Sequence, residues 1–162
     1  WTPEQIGRIL DNNPTAQLFS TAAVAAAAPD LNFTVVKAGD VHTVGPFELS
    51  FYGEKHAEIH RSIPIIDNVG VTINDSVTYS GDSFTIPPTE VDVLAVPASA
   101  PWLKIGEVID YVTAVKPKRT FPTHEMVASV IGKNMANDRI NSATEGIGGQ
   151  FYPLEPGQSL EV

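Results

Sequence analysis

Three residues far apart in the chain, His56, Asp82 and His124, carry side-chain donors suited to a metal ion. Each falls where a strand-like segment gives way to a polar stretch. His56 and His60 lie in Gly53-Glu54-Lys55-His56-Ala57-Glu58-Ile59-His60, after an apolar run that ends at Tyr52. Asp82 lies in Tyr79-Ser80-Gly81-Asp82-Ser83, and His124 in Phe121-Pro122-Thr123-His124-Glu125. Imidazole with carboxylate suits zinc, iron or manganese. Donors at the carboxyl ends of successive strands can converge on one rim, which is where α/β sheets place their ligands. Taken singly the signals are weak, because a loop histidine is ordinarily a surface residue and an aspartate after glycine ordinarily a turn residue. Three such residues in order at strand ends together point to a site.

The neighbours of these residues have two readings each. Arg61, beside His60, can meet an anionic group of a substrate or simply face water. Trp102, after Ala100-Pro101, can wall a substrate pocket or pack a helix onto the sheet. Glu54, Glu58 and Glu125 can orient the imidazoles from outside the ligand set or serve as solvated charge. Ser80 and Ser83 can hydrogen-bond the Asp82 carboxylate, but neither has a base and an orienting acid in view, so a serine nucleophile is not expected. His42, between Val41 and Val44, reads as structural or surface.

The elements that must hold these residues follow from periodicity. Thr2-Pro3-Glu4-Gln5 reads as a capped helix start, and Asp11-Asn12-Asn13-Pro14 as its stop. Residues 16–20 form a short strand, and Ser20 or Thr21 caps an Ala-rich helix that Pro29-Asp30 ends. A β-rich block follows over 33–37, 41–44, 47–52, 69–73 and 77–79, with a hairpin turn at Asn74-Asp75-Ser76. Residues 54–67 read as a loop. Residues 91–96 are a nearly unbroken apolar run, as in a strand buried on both faces. Ile105, Val108, Ile109, Val112 and Val115 mark one face of a helix that Pro117 ends. A short strand over 120–122, a helix over about 134–142 and a last strand over 150–152 complete an α/β (α+β) unit, read as one domain over 1–162.

Composition bounds what such a unit can do. The 162 residues suffice for one core without covalent staples. There is no cysteine, so metal ligands must come from His and carboxylates, and a cytoplasmic setting fits. The formal net charge of −9 argues against nucleic acid, whose phosphates need clustered positive charge. The longest small-apolar run, residues 22–28, is too short to span a bilayer, so no membrane role is expected. The expected partner is a small-molecule substrate.

The ordered elements His56-Ala57-Glu58-Ile59-His60, Ile63-Pro64, Asn68-Val69-Gly70 and Tyr79-Ser80-Gly81-Asp82-Ser83-Phe84 resemble the metallo-β-lactamase superfamily. Val93-Leu94-Ala95-Val96-Pro97, Ala100-Pro101-Trp102 and Lys116-Pro117-Lys118-Arg119 leading into Pro122-Thr123-His124 continue the likeness. It covers roughly residues 16–160 and looks like the branch of small bacterial hydrolases similar to ascorbate-6-phosphate lactonase.

The resemblance implies an αββα sandwich and hydrolysis of a small ester, lactone or phosphoester through metal-bound hydroxide. It implies two zinc ions, with manganese as an alternative. It further implies that His56 is a ligand of the first metal, Asp82 the bridging carboxylate and His124 a ligand of the second. His60 is the nearest rival to His56.

The family's early His-x-His-x-Asp-His motif has no counterpart among these residues, and the first residue is Trp1. The expectation is a domain truncated at its N-terminus, joined by a missing segment or by self-association into a homo-oligomer. The alternative is an inactive fragment or interaction module of the same fold. A cupin-like metal site fits poorly, because cupins place two histidines one residue apart and His56 and His60 have three residues between them.

Overall fold

The computed structural model describes residues 1–162. Helix α1 (Pro3–Asn12) starts as its sequence requires: Thr2 Oγ1 accepts from the Gln5 amide at 3.2 Å and Pro3 occupies the first turn. Strand β1 (Leu18–Ser20), helix α2 (Ala22–Ala27) and strand β2 (Phe33–Val35) follow, and β1 and β2 pair in parallel.

The remaining strands form one seven-stranded sheet in chain order: β3 (Val41–Val44), β4 (Phe47–Tyr52), β5 (Gly70–Ile73), β6 (Val77–Tyr79), β7 (Val93–Pro97), β8 (Arg119–Thr123) and β9 (Gln150–Phe151). Strands β3 to β6 are an antiparallel meander; β6 to β9 pair in parallel. The β5–β6 hairpin closes through Asn74 and Asp75, both at φ 51°, with the Ser76 amide donating to the Ile73 carbonyl at 3.0 Å. That is the mirror-image turn whose twist matches paired strands.

Helix α3 (Ile105–Val115) joins β7 to β8, and α4 (Val130–Gly146) joins β8 to β9. The helix read from sequence over about 134–142 is longer at both ends. Ser129 supplies the start by accepting from the Gly132 amide at 3.1 Å, a cap hidden within an apolar, weakly periodic stretch. Every residue of β7 is buried, and Leu94, Val96, Val108, Val112 and Ile140 pack as the core between that strand and both helices. Buried hydroxyls inside this layer are paired: Thr72 with Thr78 at 3.1 Å and Thr120 with Thr144 at 2.8 Å.

This topology fixes one edge for function. Strands β6, β7 and β8 point the same way, and β4, separated from β6 by one antiparallel strand, shares that direction. The segments leaving β4, β6, β7 and β8 therefore all emerge at the same edge. No helix is long and apolar enough to cross a membrane.

At the opposite edge Arg119 ties the sheet to its tail, donating to the Asp92 carboxylate at 2.5 Å and to the Glu161 carbonyl at 2.7 Å. The Arg119 hydrogen bond, with its charge and that of Lys118, holds Asp92 below the ordinary aspartate value of 3.8. A lowered carboxylate contributes stability that is complete above that ordinary value and is lost as pH falls towards the folded-state value. Asp92→Asn is expected to be less stable than the parent above about pH 5 and to lose less melting temperature on acidification below about pH 4. Parallel acid limbs in thermal melts of the two proteins would contradict this.

Candidate metal centre

Four segments at the functional edge bring His56, Asp82, Trp102 and His124 together. The loop after β4 is pinched at its base. Lys55 and Asp67 form an isolated antiparallel bridge and an ion pair at 2.6 Å. The His56 amide donates to the Ile66 carbonyl at 3.0 Å, and the Asn68 amide to the Glu54 carbonyl at 3.1 Å. A segment that looks irregular in sequence thus has a fixed stem, and His56 stands on it.

Asp82 is positioned by Asn68. The Asn68 amide oxygen accepts from the Asp82 backbone N–H at 2.9 Å, and its nitrogen donates to the Ser80 carbonyl at 2.9 Å and to Ser83 Oγ at 3.3 Å. The Ala57 amide donates to the Asp82 carbonyl at 2.8 Å, joining the two ligand-bearing loops directly. Gly81 is obligatory here: its φ is +66°, and a Cβ would sit 2.3 Å from Asn68 Oδ1. Ser80 Oγ donates to the Ser83 carbonyl, and Ser83 Oγ is shared among Asn68, Ser80 and Thr85, so both serines build the turn.

His124 directly follows β8 and has φ +56°, a left-handed conformation that non-glycine residues seldom adopt. The Ala98 amide holds the preceding carbonyl of Thr123 at 2.9 Å. Beyond His124, Lys133 on α4 pairs with Glu125 at 2.8 Å and with Glu155 at 2.7 Å, bracing the turn against the helix and the tail. Those two acids raise the Lys133 ammonium above its usual value. Glu125 is therefore a largely buried strut and not the solvated charge that its type suggests.

The two imidazoles are oriented alike. His56 Nδ1 lies 2.5 Å from the Ala57 carbonyl, and His124 Nδ1 lies 2.7 Å from the Ser99 carbonyl. A carbonyl only accepts, so each Nδ1 carries its proton and donates. In the neutral ring this leaves the lone pair on Nε2, the tautomer used by metal-binding histidine. His56 Nε2 lies 3.5 Å from Asp82 Oδ2, and His124 Nε2 lies 3.3 Å from Asp82 Oδ1.

Nitrogen lone pairs that face a carboxylate suit a bound cation. Ligand bonds of about 2.0–2.1 Å at tetrahedral angles put neighbouring donor atoms about 3.3–3.5 Å apart, which the observed separations match. The donor set is of the kind that holds a divalent metal ion. No three His, Asp or Glu side chains converge to enclose one ion. Each imidazole instead meets a different oxygen of Asp82, so each half of the site has two donors from this chain.

Trp102 is buried and stands edge-on to both rings, with centroids 5.8 Å from His56 and 6.4 Å from His124, and it packs on Phe84 at 5.2 Å. It is a wedge behind the histidines. Tyr79 lies nearby, and burial, then the Asp82 charge, push its phenol upwards. His60 and Arg61 are exposed on the loop, with His60 Nδ1 bonded to Ser62 Oγ at 2.7 Å. His42 packs against Phe19 and Phe51 in the sheet, a structural role. The positioning groups that sequence reasoning missed are Asn68 and the carbonyls of Ala57 and Ser99. Asn68 stood within a quoted motif, but nothing local reveals that it reaches a turn fourteen residues on.

No protein-family model matches this sequence. Protein Rv0786c of Mycobacterium tuberculosis is 33% identical over 141 residues, covering 84% of this chain; the chain spans 66% of that protein's length. Among solved structures, Igni18, a metallo hydrolase from the archaeon Ignicoccus hospitalis, superposes with a TM-score of 0.65 at 14% identity, covering 94% of this chain and 71% of its own. The metallo-β-lactamase fold protein YhfI from Bacillus subtilis superposes with a TM-score of 0.54 at 12% identity, covering 89% and 64%. The fold is therefore of the metallo-β-lactamase type.

The Asn68 clamp gives a direct prediction. Gly81→Ala adds a methyl against Asn68 Oδ1 at positive φ, and destabilisation of about 1–3 kcal/mol is expected. Urea unfolding midpoints measure it, and an unchanged midpoint would show that the turn is not constrained as described.

Proposed function

We propose that this chain, a metallo-β-lactamase fold, provides one side of a binuclear metal centre that hydrolyses a small ester, lactone or phosphoester. The single observation that carries the reading is the pair of Nε2 atoms facing opposite oxygens of Asp82, with both Nδ1 atoms committed to backbone carbonyls. Zinc or manganese suits this donor set. A bound divalent ion lowers the pKa of water from about 15.7 towards 7 and polarises the scissile oxygen.

The chain's own residues do the rest. The Nδ1–H groups of His56 and His124 donate to the Ala57 and Ser99 carbonyls, which directs both Nε2 atoms towards Asp82. Asp82 would hold the metal together with the imidazoles, and Asn68 prevents its turn from rotating. Trp102 keeps water from the backs of both rings and stops them from tilting. Asp82 is 37% exposed and His124 29%, against 12% for His56, so the Asp82–His124 side faces incoming substrate. The two donors per half-site also support a second reading, a binding module that is completed by, or associates with, other polypeptide.

Asp82→Ala removes the bridge for both ions, so zinc or manganese binding by calorimetry is expected to weaken at least tenfold, with hydrolysis of a simple lactone falling to background. Asn68→Ala is expected to weaken metal binding less, within the roughly 10–100-fold range of groups that orient ligands. Full metal occupancy in Asp82→Ala would overturn the reading. A metal-free chain whose elution volume shifts with concentration would favour the module.

A further inference from the structure

The loop between His56 and Asp67 carries an unusual load for a polar, pinched segment. Ile59, Ile63, Ile65 and Ile66 are 43%, 45%, 51% and 59% exposed, four isoleucines within eight residues. Leaving that many branched side chains in water is unfavourable, and contiguous exposed apolar surface ordinarily marks a place where something binds. These isoleucines do not merely face solvent. Together with Ala57 and Pro64 they line a cavity of about 90 Å³ whose remaining wall is His56.

We infer that this cavity receives a short, uncharged alkyl substituent of the substrate, so that the site acts on alkyl-substituted lactones or esters in preference to phosphorylated ones. The inference rests on the hydrolase reading above for its chemistry, and on the cavity for its selectivity. Continuity with the candidate site argues for substrate over a distant docking partner: His56 both lines the cavity and faces Asp82. The lining offers no charged side chain to an anion, and His56 already commits its Nδ1 to Ala57. A net charge of −9 further disfavours polyanions. Size limits the group. An apolar cavity of about 150 Å³ accepts a benzene ring, so one of about 90 Å³ fits a few methylenes or a branched alkyl chain and excludes an aryl group.

The test is methyl and imidazole NMR on the full chain, titrated with γ-butyrolactone, γ-octalactone and a γ-lactone of matching length ending in a carboxylate. γ-Octalactone is expected to shift the isoleucine methyls and the His56 ring, with affinity rising about fourfold per added methylene until the cavity is full. Ile63→Asp, at a half-exposed position that does not threaten folding, should lower its affinity at least tenfold while leaving γ-butyrolactone unchanged, and Ile63→Leu should restore it. Equal affinity for the short and the alkyl lactone, tighter binding of the carboxylate, or insensitivity to Ile63→Asp would each overturn the inference. So would a concentration-dependent dimer that Ile63→Asp dissociates, since the occupant would then be a second copy. Alkyl-lactone binding without turnover by the metal-loaded protein would leave the cavity's role standing and count against the hydrolase reading instead.

Discussion

The site depends on where two protons are held. Ala57 and Ser99 present carbonyls to the Nδ1 atoms of His56 and His124, and a carbonyl leaves the imidazole no choice of tautomer. Both Nε2 atoms then face one carboxylate, an arrangement suited to a bound cation. Everything around the site serves that constraint. The Lys55–Asp67 pinch fixes the stem carrying His56, Asn68 fixes the turn carrying Asp82, and the Glu125–Lys133–Glu155 strut fixes the turn carrying His124. Trp102 closes the back of both rings.

The sheet makes such convergence cheap. Parallel strands release their following segments at one edge, and the antiparallel meander adds β4 to the same side by reversing direction twice. Two constrained positions lie there: His124 at positive φ, and Gly81 pressed against Asn68. Backbone held in such conformations persists only when its surroundings over-determine it, and here each strained residue sits beside at least two fixed hydrogen bonds.

The loop between His56 and Asp67 combines two properties that ordinarily exclude each other. Its stem is polar and tied, while its body displays isoleucines to solvent beside a ligand imidazole. A tied stem lets the body keep an apolar cavity open without collapsing onto the sheet. Hydrophobic area is thereby kept next to His56.

Much of this was written in the sequence. The capping residues Thr2 and Thr21, the buried run of β7, the apolar face of α3 and the Asn74-Asp75 turn depend on neighbours within a few positions, so spacing and residue type suffice to read them. That His56, Asp82 and His124 lie near one another was likewise legible, because strand ends are local features and parallel strands bring them to one side. The start of α4 was harder, since Val130 and Ile131 are exposed and blur the helical period. What the sequence could not decide was which oxygen each imidazole meets, that Asn68 governs Asp82, or that Glu125 is a buried strut. Those depend on distances between separate segments of the chain, and only the packed structure sets them.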